Sequence, residues 1–86
     1  MQLTAELSLY PLSENYIEIV LAFIESLEQN GDLTIRRNAM STQISGEAAQ
    51  VMQVIQSALT KSFQTFGKQV LTAKFIPGDF NLDNDE

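Results

Sequence analysis

The chain is predicted to fold as an α+β sandwich in the order β-α-β-β-α-β, and three observations predict it. Apolar and polar residues alternate from Gln2 to Tyr10 and again from Gln69 to Ile76, the period of a half-buried strand. Two longer stretches place apolar residues at helical spacing, and each follows a strand by a short loop. Between the two helices lie two short strand-like segments separated by a turn. With 86 residues, 44% of them apolar, the chain has material for one core and one domain.

The first strand sets Leu3, Ala5, Leu7 and Leu9 against Gln2, Thr4, Glu6, Ser8 and Tyr10, and Pro11 ends it. Asn15 is the expected N-cap of the first helix, with Glu18 three residues on to complete a capping box. Ile17, Val20, Leu21, Ile24 and Leu27 form its expected buried stripe, and Asn30-Gly31 its stop. Leu33 and Ile35 mark a second strand, with Thr34, Arg36 and Asn38 on its other face. A turn at Asn38-Ala39-Met40 reverses the chain into a short strand through Ile44. Gly46-Glu47 opens the second helix, where Glu47 complements the positive end of the helix dipole. Its stripe reads Val51, Val54, Ile55, Ala58, Ser62 and Phe63, with Leu59 and Phe66 beside it and Gly67 as the stop. The last strand sets Leu71, Ala73 and Phe75 against Val70, Thr72, Lys74 and Ile76, and Pro77-Gly78 breaks it. Right-handed crossovers put both helices on one side of one sheet, with the first and third strands central. This is a ferredoxin-like sandwich spanning residues 1–78. Residues 79–86 carry four acids and no base, and read as a disordered tail.

Composition removes several functions. A net charge of −6 with five basic residues argues against nucleic acid, which needs clustered Lys and Arg. The absence of Cys excludes a disulfide framework and thiolate chemistry. The absence of His removes the usual general base and the commonest metal ligand. No metal site and no catalytic residue is predicted. No apolar run approaches the roughly 20 residues of a membrane span. The opening residues lack the basic region of a secretory signal, so a soluble, cytoplasmic protein is expected.

The sheet face away from the helices is polar. It collects Thr4, Glu6, Ser8 and Tyr10 from the first strand and Ser41, Gln43 and Ser45 from the third. A strand of hydroxyls and amides running into a Gly-Glu helix start can offer several hydrogen bonds to a small ligand. A solvated strand followed by an ordinary helix cap explains the same residues. Glu6 can equally pair with Lys74 across the sheet.

Three segments carry a resemblance. Ala5-Glu6-Leu7-Ser8-Leu9-Tyr10-Pro11-Leu12 resembles the opening strand of the thiamine-binding-protein-like (YkoF-like) family. Met40-Ser41-Thr42-Gln43-Ile44-Ser45-Gly46-Glu47 is similar to its second signature, and Lys74-Phe75-Ile76-Pro77-Gly78 to its ending. The resemblance runs from residue 1 to about 78. It implies a ferredoxin-like domain that associates through its sheets into homodimers or homotetramers. It also implies a non-enzymatic protein that holds thiamine, or its hydroxymethylpyrimidine moiety, as ligand rather than cofactor. The expected ligand-binding residues are Glu6, Ser8, Tyr10, Met40, Ser41, Thr42 and Glu47. A carboxylate such as Glu6 can bridge an aminopyrimidine's ring nitrogen and amine. Ser8, Ser41 and Thr42 can satisfy its other polar edges, and Tyr10 or Met40 can cover a ring face. An acidic protein also attracts the cationic thiazolium. Thr42 shares the parity of Ile44 and so points toward the helices, unless a bulge turns it outward.

Two other classes fit the composition. A cofactorless oxygenase of ferredoxin-like fold would use the same sheet face as a pocket, with carboxylates, Tyr10 and lysines for proton transfer. A purely structural or regulatory oligomer would use that face as an interface.

Overall fold

The computed structural model describes residues 1–29 and 32–78. The element order is β1 (Gln2–Pro11), α1 (Tyr16–Glu28), β2 (Thr34–Arg37), β3 (Thr42–Glu47), α2 (Ala48–Phe66) and β4 (Gln69–Pro77). The four strands form one antiparallel sheet in the order β2-β3-β1-β4, with β1 and β3 central as expected. The helices cover one face, and the fold is the ferredoxin-like sandwich. The expected stop at Asn30-Gly31 and the acidic tail lie outside the described residues.

The core forms where the apolar face of the central strands meets the helices. Leu3, Ala5 and Leu7 of β1 and Ile44 of β3 pack against Phe23 and Leu27 of α1 and Val51, Ile55 and Ala58 of α2. Each large aliphatic side chain buried this way contributes about 1.5–3 kcal/mol, which the ordering of the chain largely offsets. Thr4 and Ser45 are buried on the opposite face, where their hydroxyls meet at 3.1 Å.

Several sequence expectations are corrected. Asn15 stands at the N-cap position of α1, but its side chain makes no capping bond; instead its N–H donates to Ser13 Oγ at 3.2 Å. The buried stripe of α1 is Ile19, Phe23, Ile24 and Leu27, while Ile17 and Leu21 are more than half exposed. This helix is apolar on nearly every side between Tyr16 and Ile24, so two overlapping stripes satisfy helical periodicity. Packing onto β1 selects the one containing Phe23. On α2, Phe63 is exposed rather than buried. Strand β3 runs on through Glu47, so α2 begins at Ala48 with Glu47 as its N-cap.

Candidate functional site

Strand lengths create the site. Strand β1 pairs with β4 from Leu3 to Pro11, but with β3 only as far as Leu7, which faces Thr42. Beyond that pair the chain between β2 and β3 has turned away at Asn38. Its Oδ1 accepts N–H bonds from Met40 at 2.7 Å and Ser41 at 2.9 Å, and its own N–H donates to Ser41 O at 3.0 Å. That side chain closes the hairpin as a turn and fixes where Met40 and Ser41 stand. The result is a notch between the second half of β1, the hairpin tip and the first half of α1.

The notch is a cleft of about 370 Å³. Leu7 to Tyr10 form one wall, the tip from Asn38 to Thr42 another, and Tyr16, Ile17, Val20 and Leu21 the third. Phe23 and Ile24 close its base from the core. The exposed side chains Tyr10, Tyr16, Ile17, Leu21 and Met40 all line this opening. Apolar groups gathered at one concavity, with a few polar atoms among them, are the composition of a small-molecule site. A depression of about 480 Å³ along the two helices is lined mainly by polar side chains, Ser26, Gln29, Gln53, Ser57 and Lys61, with Val54 and Ala58 its apolar members.

The backbone adds to the cleft's polar groups. Met1 O accepts from Ala48 N, Lys68 O from Leu12 N and Gln2 O from Gly78 N. With the strand registers, these bonds fix which residues turn their backbone groups to which neighbour. Leu3, Ala5 and Leu7 exchange bonds with β3, and the next residue of that set is Leu9. Since β3 has ended there, the Leu9 N–H and C=O point into the cleft.

Five of the seven expected ligand residues line this one opening: Ser8, Tyr10, Met40, Ser41 and Thr42. The register between β1 and β3 runs from Gln2 to Leu7 without a bulge, so Thr42 is buried on the helix side and reaches the cleft from within. Ser8 Oγ donates to Met40 O at 3.4 Å and ties the tip to β1. Glu6 stands one step outside, on the open face. Its Oε2 accepts from Ser41 Oγ at 3.0 Å and Gln43 Nε2 at 3.3 Å, and Gln43 Nε2 also donates to Ser41 Oγ at 2.7 Å. The Ser41 hydroxyl, then the Gln43 amide, hold the Glu6 carboxyl below the usual carboxylate range. Partial burial opposes this, and the Lys74 ammonium, 3.7 Å from Oε1, adds to it. Glu47 is set apart: it faces Gln2 at the other end of β1, and its carboxylate caps α2 through the N–H groups of Ala49 and Gln50.

Sequence reading missed Tyr16, Ile17, Leu21, Asn38 and the Leu9 backbone as parts of this opening, and it placed Gln43 on the polar face without its bonds to Glu6 and Ser41. The one signal for the helix residues was the surplus of apolar side chains on α1 beyond a single buried stripe.

A small single-domain sandwich with a cleft where its sheet runs out is thereby defined, and sequence comparison says which group it falls in. The chain belongs to the thiamine-binding protein family, whose sequence profile matches residues 5–75. No curated protein matches it significantly. Among solved structures, a Streptococcus pneumoniae protein superposes with a TM-score of 0.85 at 21% identity, covering 96% of this chain and 94% of its own. A Thermotoga maritima protein described as a proposed thiamine biosynthesis or salvage protein matches with a TM-score of 0.80 at 17% identity, covering 100% and 90%. A Bacillus cereus domain of unknown function gives 0.80 at 20% identity, covering 96% and 85%. At these identities the structures show the shared fold. Among the described residues no helix is long and apolar enough to cross a membrane, and no group of acidic residues could hold a metal ion.

Proposed function

We propose that this protein is a non-enzymatic, cytoplasmic binder of thiamine or its hydroxymethylpyrimidine moiety, held in the cleft as ligand rather than cofactor. The observation that carries this is the convergence of Ser8, Tyr10, Met40, Ser41 and Thr42 on one opening, in a chain of the thiamine-binding protein family. The aminopyrimidine ring slides between Tyr10, Tyr16 and Leu21, with Met40 over its face. An aminopyrimidine presents an acceptor nitrogen beside a donor amine, and the Leu9 N–H and C=O offer the complementary pair. Ser41 and Thr42 supply further hydroxyls. Glu6 acts through Ser41, which it orients, and its charge favours the cationic thiazolium at the mouth.

Thermal unfolding with added ligand tests this reading. Thiamine at 100 times its Kd stabilises by about 2.7 kcal/mol, a rise of roughly 10–20 °C for a domain of this size. Choline carries a similar charge without the rings and is expected to give none. Absence of a shift with both millimolar thiamine and hydroxymethylpyrimidine would overturn the proposal.

A further inference from the structure

The helix layer holds one base, and it borders a hollow. The 19 residues of α2 carry a single charge, Lys61. Helix α1 carries Glu18, Glu25 and Glu28 and no base. Glu25 and Glu28 stand in its last turn, at the negative end of the helix dipole, where a carboxylate is disfavoured and a base is favoured. Local rules broken in this way mark places where a sequence answers to something besides folding. A cation from outside the chain would satisfy that end.

Small side chains open the hollow between the helices. Ala22 and Ser26, four residues apart on α1, meet Ala58 and Ser62, four apart on α2, along one groove. The part beside Phe66 encloses about 220 Å³, with the buried Phe23 and Ser62 in its lining. Glu25 borders it from α1 and Lys61 from α2. No ion pair joins the two, and neither has another charged partner among the described residues. Ser26, Gln29 and Lys61 also border the depression of about 480 Å³, so the two spaces run together. This groove shares only Phe23 with the cleft.

We infer that this groove binds a free α-amino acid with an uncharged polar side chain. Such a molecule carries an ammonium and a carboxylate on one carbon, and it matches two opposite charges held on neighbouring helices without touching. Glu25 and the Ser62 oxygen receive the ammonium. The Ser62 hydroxyl already donates to Gln69 Oε1 at 2.8 Å, so it offers the groove an acceptor. The negative end of α1 adds to the same attraction. Lys61 and the Ser26 hydroxyl take the carboxylate. The side chain then extends among Gln29, Gln53 and Ser57, whose amides and hydroxyl pair with another amide or hydroxyl. A simple anion would leave Glu25 without a counter-charge, and a simple cation would leave Lys61 without one. The site stands whether or not the cleft binds thiamine.

Titration of the full chain without thiamine, followed by backbone amide NMR, tests the inference. L-Glutamine is expected to shift the signals of Ser26, Gln29, Ser57 and Lys61 saturably and to leave Ser8 and Met40 in the cleft unmoved. A Kd of about 1 mM suits so small a ligand in an open groove. Acetate and methylamine each carry one of the two charges, and both are expected to bind at least about tenfold more weakly. L-Leucine, with no polar group to offer Gln53 and Ser57, is also expected to bind more weakly. Lys61→Met and Glu25→Gln alter exposed side chains and should keep the far-UV circular dichroism of the wild type. Each is expected to weaken L-glutamine about tenfold, the loss of one charge-assisted contact. Their thermal shift with thiamine should stay that of the wild type, which keeps the two sites separable. No saturable shift with L-glutamine, equal affinity for acetate, methylamine or L-leucine, or unchanged affinity in both variants would each overturn the inference.

Discussion

Ser41 and Glu6 are joined by a 3.0 Å hydrogen bond that ties the residue preceding β3 to the middle of β1. The bond joins a residue that lines the cleft to a carboxylate on the open sheet face, so Glu6 fixes where the Ser41 hydroxyl points. Gln43 donates to both groups and locks the arrangement.

Replacing Glu6 with Gln removes the charged acceptor of that network. Thiamine affinity is expected to fall roughly tenfold, as for other hydrogen bonds that lose charge assistance, while thermal stability at pH 7 falls only by the small contribution of a solvent-screened carboxylate. Isothermal calorimetry on folded Glu6→Gln checks this, and equal affinities would make Glu6 a bystander.

The same residue gives a pH signature. Its folded pKa is depressed, so its contribution to stability is fully present above the unfolded carboxylate value of about 4.3. That contribution is lost as pH falls through the lower folded value. Urea unfolding followed from pH 6 downward should show a loss of stability in the wild type that Glu6→Gln does not share.

The phase of α1 is testable by a pair of truncations. Ile19→Ala empties a position that is 2% exposed and is expected to cost about 2–5 kcal/mol. Ile17→Ala acts at a position 61% exposed and should stay within about 0.5 kcal/mol, yet weaken thiamine binding. Denaturant midpoints and ligand titrations of the two variants read both effects.

Asn38→Ala removes the acceptor that holds the N–H groups of Met40 and Ser41. The expected cost is about 0.5–1.5 kcal/mol of stability, with faster hydrogen exchange confined to the hairpin tip and weaker thiamine binding. Unchanged exchange there would show that the tip holds its shape without this side chain.

Gly67 ends α2 with φ of 90°, and its N–H donates to Phe63 O at 2.9 Å. Gly67→Ala meets no atom within 4 Å but forces a side chain into a positive-φ region that essentially only glycine adopts, at roughly 1–3 kcal/mol. Chemical denaturation measures it directly.

The fold was legible because strand alternation and helix spacing are local signals, and β1 shows this in every residue from Gln2 to Tyr10. Pro11 and Gly67 ended their elements where expected, to within a residue. Helix phase was less legible: Tyr16-Ile17-Glu18-Ile19-Val20-Leu21 gives no local reason to bury Ile19 over Ile17. Only contact with β1 decides it. The cleft was legible as a set of residue types, Ser8, Tyr10, Met40, Ser41 and Thr42, but not as a place. Its existence depends on β3 ending opposite Leu7, and a relation between the ends of two distant strands leaves no mark on either one. Glu47 shows the same limit, because a helix-capping carboxylate and a ligand-binding one look alike in sequence, and only the structure shows that this one caps α2.

The early end of β3 also means that the room in the cleft is a matter of length more than of side-chain choice. Pleated strands repeat every two residues, so two residues added to each arm of the hairpin beyond Thr42 would carry the ladder on to Leu9. Every core side chain would keep its face while the notch filled with backbone. Taking residues away would widen the opening by the same steps. Hairpin length is therefore a dial for the volume of the notch, with Leu3, Ala5, Leu7 and Ile44 left untouched beneath it.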